Sequence, residues 1–221
     1  MNAPKLVVFV RHGESHWNAA AADAQKEGLS DLELVSRATE IASGRDPEGR
    51  AAFNWGLSPR GYTQAAAAAE RIAEQFPDGF DVHYASRLRR AMQTLPVIAP
   101  RAGATYTPML NEFRMWQCAC ECNDRKPFPR EGLAHDLTRM HLFFNWLHAR
   151  ERGQRVLVVG HGNWITAAMR YPYQRVYVPP RLQIRHVRNA SLTIFQYDYL
   201  LERLSLVDYD IAPAPGNGST S

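Results

Sequence analysis

Residues Leu6-Val7-Val8-Phe9-Val10 form an unbroken apolar run that stops on Arg11-His12-Gly13. A β-branched, apolar run that ends so abruptly on polar residues predicts a strand buried on both faces, and therefore a parallel sheet covered by helices. Open α/β sheets hold their ligands just beyond the carboxyl ends of such strands. Ser86-Arg87-Leu88-Arg89-Arg90-Ala91 and Val156-Leu157-Val158-Val159-Gly160-His161-Gly162-Asn163 repeat the layout of strand, polar turn and helix. Three strand ends would then bring two arginines and two histidines to one edge of one sheet.

Those residue types suit one chemistry. Arginine presents a planar fork of donors that matches phosphate oxygens, and neutral histidine is a nucleophile at pH 7 without prior deprotonation by another group. Phosphoryl transfer to a histidine is the reaction the pair implies. The ordinary alternative for Arg11 and His12, taken alone, is an ion-pairing arginine beside a capping histidine.

Hydrophobic periodicity predicts strands at 5–10, 81–85, 104–108, 155–160, 190–198 and 201–209, and helices near 30–43, 59–76, 87–100, 131–151 and 162–170. Alternating strands and helices imply a three-layer α/β/α sandwich with a mostly parallel central sheet, and the closing hairpin supplies an antiparallel edge. Ser30-Asp31-Leu32-Glu33 has capping-box spacing, with Leu34, Ala38 and Ile41 on one helix face, and Ser58-Pro59 gives an N-cap followed by proline at the first helical position. Phe143, Phe144, Trp146 and Leu147 read as core. With 221 residues, 45% of them hydrophobic, the chain suits a single domain over 1–211. An inserted helical lid is expected at about 28–54, in a connection longer than compact domains usually carry. The Ala/Pro/Gly/Ser tail 212–221 reads as disordered.

Several function classes are disfavoured. The net charge of +4 comes from scattered residues, almost all arginine, rather than the basic stripe with interleaved aromatics that a nucleic acid would require. No stretch approaches the ~20 apolar residues of a membrane span, and the first apolar run is too short for a signal-peptide core. A cytoplasmic location is expected. Cys118, Cys120 and Cys122 alternate too closely for easy pairing or for the usual zinc spacing, even with His135 as a fourth ligand, so the expectation is no metal. His16, His83, His141, His148 and His186 match no catalytic pattern and read as surface or capping residues.

Arg11-His12-Gly13-Glu14 with Asn18, Leu57-Ser58-Pro59-Arg60-Gly61 with Gln64-Ala65, Ser86-x-Leu88-x-Arg90-Ala91-x-Gln93-Thr94, Leu110-x-Glu112 and His161-Gly162 occur in that order. Together they resemble the histidine phosphatase superfamily, the phosphoglycerate-mutase-like group, over most of residues 5–198. The resemblance implies that His12 attacks phosphorus and becomes phosphohistidine, that Arg11, Arg90 and His161 surround the phosphoryl oxygens, and that Glu112 protonates the leaving alkoxide. Asn18 and the backbone N–H groups of Gly162 and Asn163 are further phosphate donors on this reading; Asn18 as a helix cap and Asn163 as a turn residue are the plain alternatives. The resemblance places the phosphate-binding arginine directly before alanine, which is Arg90; Arg87 and Arg89 then fall on other helix faces at about 100° per residue, in solvent-exposed or rim positions.

Hydrolysis of a small phosphomonoester without metal or cofactor is the expected reaction. A phosphoglycerate-type mutase, dependent on 2,3-bisphosphoglycerate, is the alternative, suggested by His161-Gly162-Asn163. Phe113-Arg114-Met115-Trp116-Gln117 departs from both groups' patterns, whereas Asn189-Ala190-Ser191-Leu192-Thr193 is closer to the phosphatases. A catalytically silent phosphoryl-binding protein is the reading from a third class, and the presence of both His12 and Glu112 argues against it.

Overall fold

The computed structural model describes residues 3–52, 54–112, 130–171, 176–180 and 182–212. The segment 113–129, with Cys118, Cys120 and Cys122, and the tail from 213 onward lie outside the described residues. In chain order the elements are β1 (Leu6–Arg11), α1 (His16–Gln25), α2 (Asp31–Arg45), α3 (Pro47–Ala52), α4 (Pro59–Gln75), β2 (Val82–Ser86), α5 (Arg89–Ile98) and β3 (Ala104–Thr107). A single 3₁₀ turn (Pro108–Leu110) follows, then α6 (Arg130–Arg150), β4 (Arg155–Gly160), α7 (Gly162–Arg170), β5 (Val176–Tyr177), β6 (Leu192–Asp198) and β7 (Arg203–Ile211).

Among the described residues the sheet has seven strands in the order β3-β2-β4-β1-β6-β7-β5. Strands β1 to β4 run parallel, with Arg11 opposite Gly160 and Ser86 opposite Thr107. Their carboxyl ends therefore open onto one edge, and this register places the polar turns side by side. Strand β6 lies antiparallel to β1 and β7 antiparallel to β6. The hairpin is not the outermost element, as the sequence had suggested, because the two-residue β5 adds to β7 in parallel. A strand of two residues has no period to read.

Alternation along β1 divides its side chains between two cores. Val7 and Phe9 join Phe143, Phe144 and Trp164 under α6 and α7; Val8 and Val10 join Ala68, Leu95 and Ile98 under α4 and α5. The four central side chains of β1, Val7 to Val10, are fully buried, each worth about 1.5–3 kcal/mol in transfer from water. Helices on both faces of a mostly parallel sheet make the expected three-layer sandwich.

The long connection between β1 and α4 holds more helix than its sequence pattern suggests. Helix α1 is alanine-rich, so it has helix propensity but almost no large apolar stripe to mark it. Its Ala20 and Ala24 are buried against Ala38 and Ala42 of α2, and Trp55 closes the cluster. Small side chains allow two helices to approach closely, which is how an inconspicuous stretch becomes a packed one. The predicted cap of α2 is present: Glu33 accepts from the backbone N–H (3.0 Å) and hydroxyl (2.5 Å) of Ser30. The stripe Leu34, Ala38 and Ile41 packs onto this α1 cluster.

Candidate active site

β1 delivers Arg11 and, one residue on, His12; β4 delivers His161 as the N-cap of α7; β2 ends at Ser86, just before the helix that carries Arg90. The remaining member, Glu112, follows the 3₁₀ turn after β3. Nitrogen atoms of His12 and His161 and a carboxylate oxygen of Glu112 all lie within 4.8 Å of one another. The two imidazole rings meet edge to face at 5.1 Å.

Hydrogen bonding determines which nitrogen of each histidine carries a proton. His12 Nδ1 lies 2.6 Å from the carbonyl oxygen of Gly13, so Nδ1–H donates there. Nε2 then keeps its lone pair, toward which Arg90 Nε–H donates at 3.0 Å. For His161 the argument starts at Asn111, whose side-chain oxygen accepts from the backbone N–H of Arg87 (3.1 Å) and from the Ser86 hydroxyl (2.9 Å). With its proton committed to Asn111, Ser86 Oγ accepts from His161 Nε2–H at 2.8 Å. His161 Nδ1 is thereby the unprotonated nitrogen, 3.8 Å from Glu112 Oε2.

Burial, and then the cations Arg90 and Arg11, hold His12 well below the ordinary histidine range. His161 is lowered in the same direction, first by burial and then by Arg90. Burial also brings the Arg11 guanidinium down to about 10, opposed by Glu112 and reinforced by Arg90. Arg11 Nη1 donates to the Val187 carbonyl at 2.6 Å, while its buried Nε has no hydrogen-bond partner among the described residues. Two guanidinium groups around a neutral imidazole form a site for an anion. The trio His12, Glu112 and His161 offers enough ligand atoms for a metal, yet the guanidinium groups of Arg90 and Arg11 beside His12 oppose a cation there.

The loop carrying His12 is braced by the Ser58–Gln64 motif and by Gln93 and Thr94, further along the helix that carries Arg90. Ser58 caps α4 by accepting from Gly61 N–H, and the same hydroxyl donates to Glu14 Oε1 at 2.8 Å. Gln64 accepts from Glu14 N–H, Gln93 from Leu57 N–H and Thr94 from Gly13 N–H. The backbones touch so closely that a Cβ on Gly61 would sit 2.1 Å from the Glu14 carbonyl oxygen, and one on Gly13 2.2 Å from that of Gly61.

Arg89 and Arg90 occupy the first two positions of α5, while Arg87 precedes the helix, which starts two residues later than its sequence pattern suggests. Arg90 reaches His12; Arg87 Nε donates to the Tyr106 carbonyl; Arg89 binds Asp46 at the end of α2 and Glu48 of α3 instead of standing free at the rim. Asn18 lies at the third position of α1, where its side-chain oxygen accepts from Ser15 in a capping box, so any phosphate contact from it falls to its amide NH2. Gly162 and the half-buried Asn163 occupy the first two positions of α7, where backbone N–H groups have no partner within the helix. A Cβ on Gly162 would lie 2.6 Å from His186 and 3.1 Å from Arg11 Nε.

That contact brings into the site a residue the sequence reading assigned to the surface. His186 is exposed, yet it packs over the start of α7 close enough to add to the positive charge acting on His12. No motif surrounds it; the loop that carries it is pinned by Arg188, which binds Asp210 on β7.

A model of the histidine phosphatase superfamily (branch 1) matches residues 7–119 and 104–208. A 2,3-bisphosphoglycerate-dependent phosphoglycerate mutase of Methylobacterium radiotolerans is 29% identical over 152 residues, 69% of this chain and 56% of that protein. The chain thus spans little more than half the length of that relative. Among solved structures, a mutant phosphoserine phosphatase of Entamoeba histolytica in complex with phosphoserine aligns with a TM-score of 0.59 at 19% identity, over 93% of this chain and 96% of that one. The α-ribazole phosphatase of Shigella flexneri aligns with a TM-score of 0.59 at 18% identity, over 98% and 100%. Likeness at such identities shows the shared fold.

Proposed function

Because this chain belongs to the histidine phosphatase superfamily, we propose that it hydrolyses small phosphomonoesters through a phosphohistidine on His12, with Glu112 as the general acid. The observation that carries this reading is the tautomer of His12, whose Nδ1 proton is committed to Gly13 and whose Nε2 lone pair lies beside Arg90. Nε2 attacks phosphorus as the bond from phosphorus to the ester oxygen breaks. The departing oxygen takes the proton of the Glu112 carboxyl, and the alcohol leaves. Water then attacks phosphorus, its proton passes to the Glu112 carboxylate, and the P–N bond breaks to restore neutral His12 and release phosphate. Arg11, Arg90 and the α7 amino terminus compensate the charge on the phosphoryl oxygens, the dominant requirement of phosphoryl transfer.

Rapid quenching during turnover of a labelled phosphomonoester should trap an acid-labile, base-stable phosphoryl group on His12. His12→Ala should lose both the adduct and turnover; an adduct on serine or cysteine would sink the mechanism. The 29% identity to a phosphoglycerate mutase supports a second reading, transfer of the same phosphoryl group to a second hydroxyl. Supplying 3-phosphoglycerate with 2,3-bisphosphoglycerate separates the two: a hydrolase releases inorganic phosphate, whereas a mutase returns 2-phosphoglycerate.

A further inference from the structure

Four backbone carbonyls at the Glu112 side of the pocket converge on one arginine of α6. Arg139 Nη1 donates to the carbonyl oxygens of Pro108 (3.0 Å), Met109 (3.1 Å) and Asn111 (2.6 Å), and Nη2 approaches that of Glu112 at 3.5 Å. Asp136, one turn earlier on the helix and buried, accepts from Nη2 at 2.9 Å and sets the plane of the guanidinium. The base of this arm is rigid, since the neighbouring Met140 and Phe143 are fully buried in the core. From α7, Trp164 Nε1 adds a bond to the Met109 carbonyl at 3.0 Å, and the Leu110 side chain is fully buried beneath the turn.

The turn so gripped is only three residues long, too short to hold its own carbonyls in a helical ladder. It nevertheless carries two residues whose positions matter together. Asn111 begins the hydrogen-bond chain through Ser86 to His161, and Glu112 carries the carboxyl. A planar fork of donors can satisfy several diverging acceptors at once, which a lysine ammonium on a flexible stem cannot do in the same geometry.

We propose that Arg139, oriented by Asp136, is the positioning residue for the Glu112 carboxyl, clamping residues 108–112 so that proton donation to the leaving oxygen occurs in line. The inference rests on the assignment of Glu112 as the general acid. A carboxyl donates only within about 2.6–3.2 Å of its acceptor, and a displacement of about 1 Å costs on the order of 10²-fold in rate. Loss of the clamp therefore shows wherever the leaving group needs a proton. A group that merely holds the fold together would slow all substrates alike.

The test compares an alkyl phosphate, whose leaving alkoxide is strongly basic, with p-nitrophenyl phosphate, whose leaving group needs little protonation. In the full chain, Arg139→Met should lower kcat on the alkyl ester about 10- to 100-fold while p-nitrophenyl phosphate turnover and both KM values change less than about 3-fold. Arg139→Lys should not restore the alkyl rate. Equal losses on the two substrates, or full rescue by lysine, overturn the proposal. Should Arg139→Met fail to fold, Asp136→Asn frees the guanidinium plane while leaving the helix intact; it should show the same split at smaller size, and equal losses there overturn the proposal as well. Glu112→Gln run in parallel separates the two claims: no split in that variant removes the acid assignment and this inference together, whereas a split in Glu112→Gln without one in the clamp variants removes the inference alone.

Discussion

The His12 side of the pocket is braced by backbone packed on backbone in addition to side-chain hydrogen bonds, whereas the Glu112 side is braced by side chains reaching in from α6, α7 and the end of β2. Around His12 the 13–15 loop and the first turn of α4 lie in contact, with no room for a methyl group at Gly13 or Gly61. Around Glu112 the turn hangs from Arg139, Trp164 and Ser86 by individual hydrogen bonds. The difference sets how each half fails. Close backbone contact tolerates no intrusion, while a set of separate hydrogen bonds weakens by degrees.

Gly61→Ala tests the first half most severely. Its methyl would meet the Glu14 carbonyl oxygen at 2.1 Å, backbone that cannot swing aside. We expect a loss of about 3 kcal/mol in denaturant unfolding, the upper end of overpacking, together with loss of phosphohistidine formation. Near-native stability and activity would show that the loop yields, and the contrast between the halves would disappear.

A smaller effect for each histidine should appear with pH, and it should touch both halves equally. His12 and His161 are held below the ordinary histidine range in the folded protein, so the unfolded chain takes up protons first as the pH falls. Stability therefore declines below the unfolded value of about 6.5, by up to about 1.4 kcal/mol per pH unit for each such histidine, until the folded rings titrate. Denaturation midpoints between pH 7.5 and 5 should fall in the parent chain, and His12→Asn or His161→Asn should flatten the slope by similar amounts. A slope unchanged in either variant would mean that its ring is already protonated in the folded state.

The smallest effect belongs to a single bond on the Glu112 side. Ser86→Ala removes the acceptor that fixes His161 Nε2–H, at a cost of about 1 kcal/mol, or about 5-fold in kcat. Ser86→Thr, which keeps the hydroxyl, should retain the rate. A loss comparable to that of Gly61→Ala would place the two halves in one rigid unit.

The chain's own order made the His12 half easy to read. Arg11 and His12 end a strand whose apolar run is unmistakable, and Arg90 could be picked from three arginines because it directly precedes Ala91, as in the superfamily's pattern; Arg89, one position earlier on α5, turns to Asp46, and Arg87, ahead of the helix, to Tyr106. Ser58, Gln64, Gln93 and Thr94 were visible as motif members, but their work as braces was not. Arg139 and His186 carried no signal, because neither belongs to a contiguous pattern and each acts across more than twenty residues of chain. Helix α1 went unread for a different reason: alanine contacts leave no hydrophobic period.

The sequence by itself determined the layered sheet, its parallel half, and the delivery of Arg11, His12 and His161 to one edge, since these follow from local periodicity and from where apolar runs stop. Tertiary structure alone decided the proton positions on both histidines, the packing of α2 onto α1, the parallel β5 outside the hairpin, and the grip of Arg139 on the turn before Glu112. Periodicity is a property of neighbours along the chain. Hydrogen-bond direction and the depression of a histidine pKa arise from groups that meet only when the chain is folded, and no local pattern records which carbonyl a distant guanidinium will find.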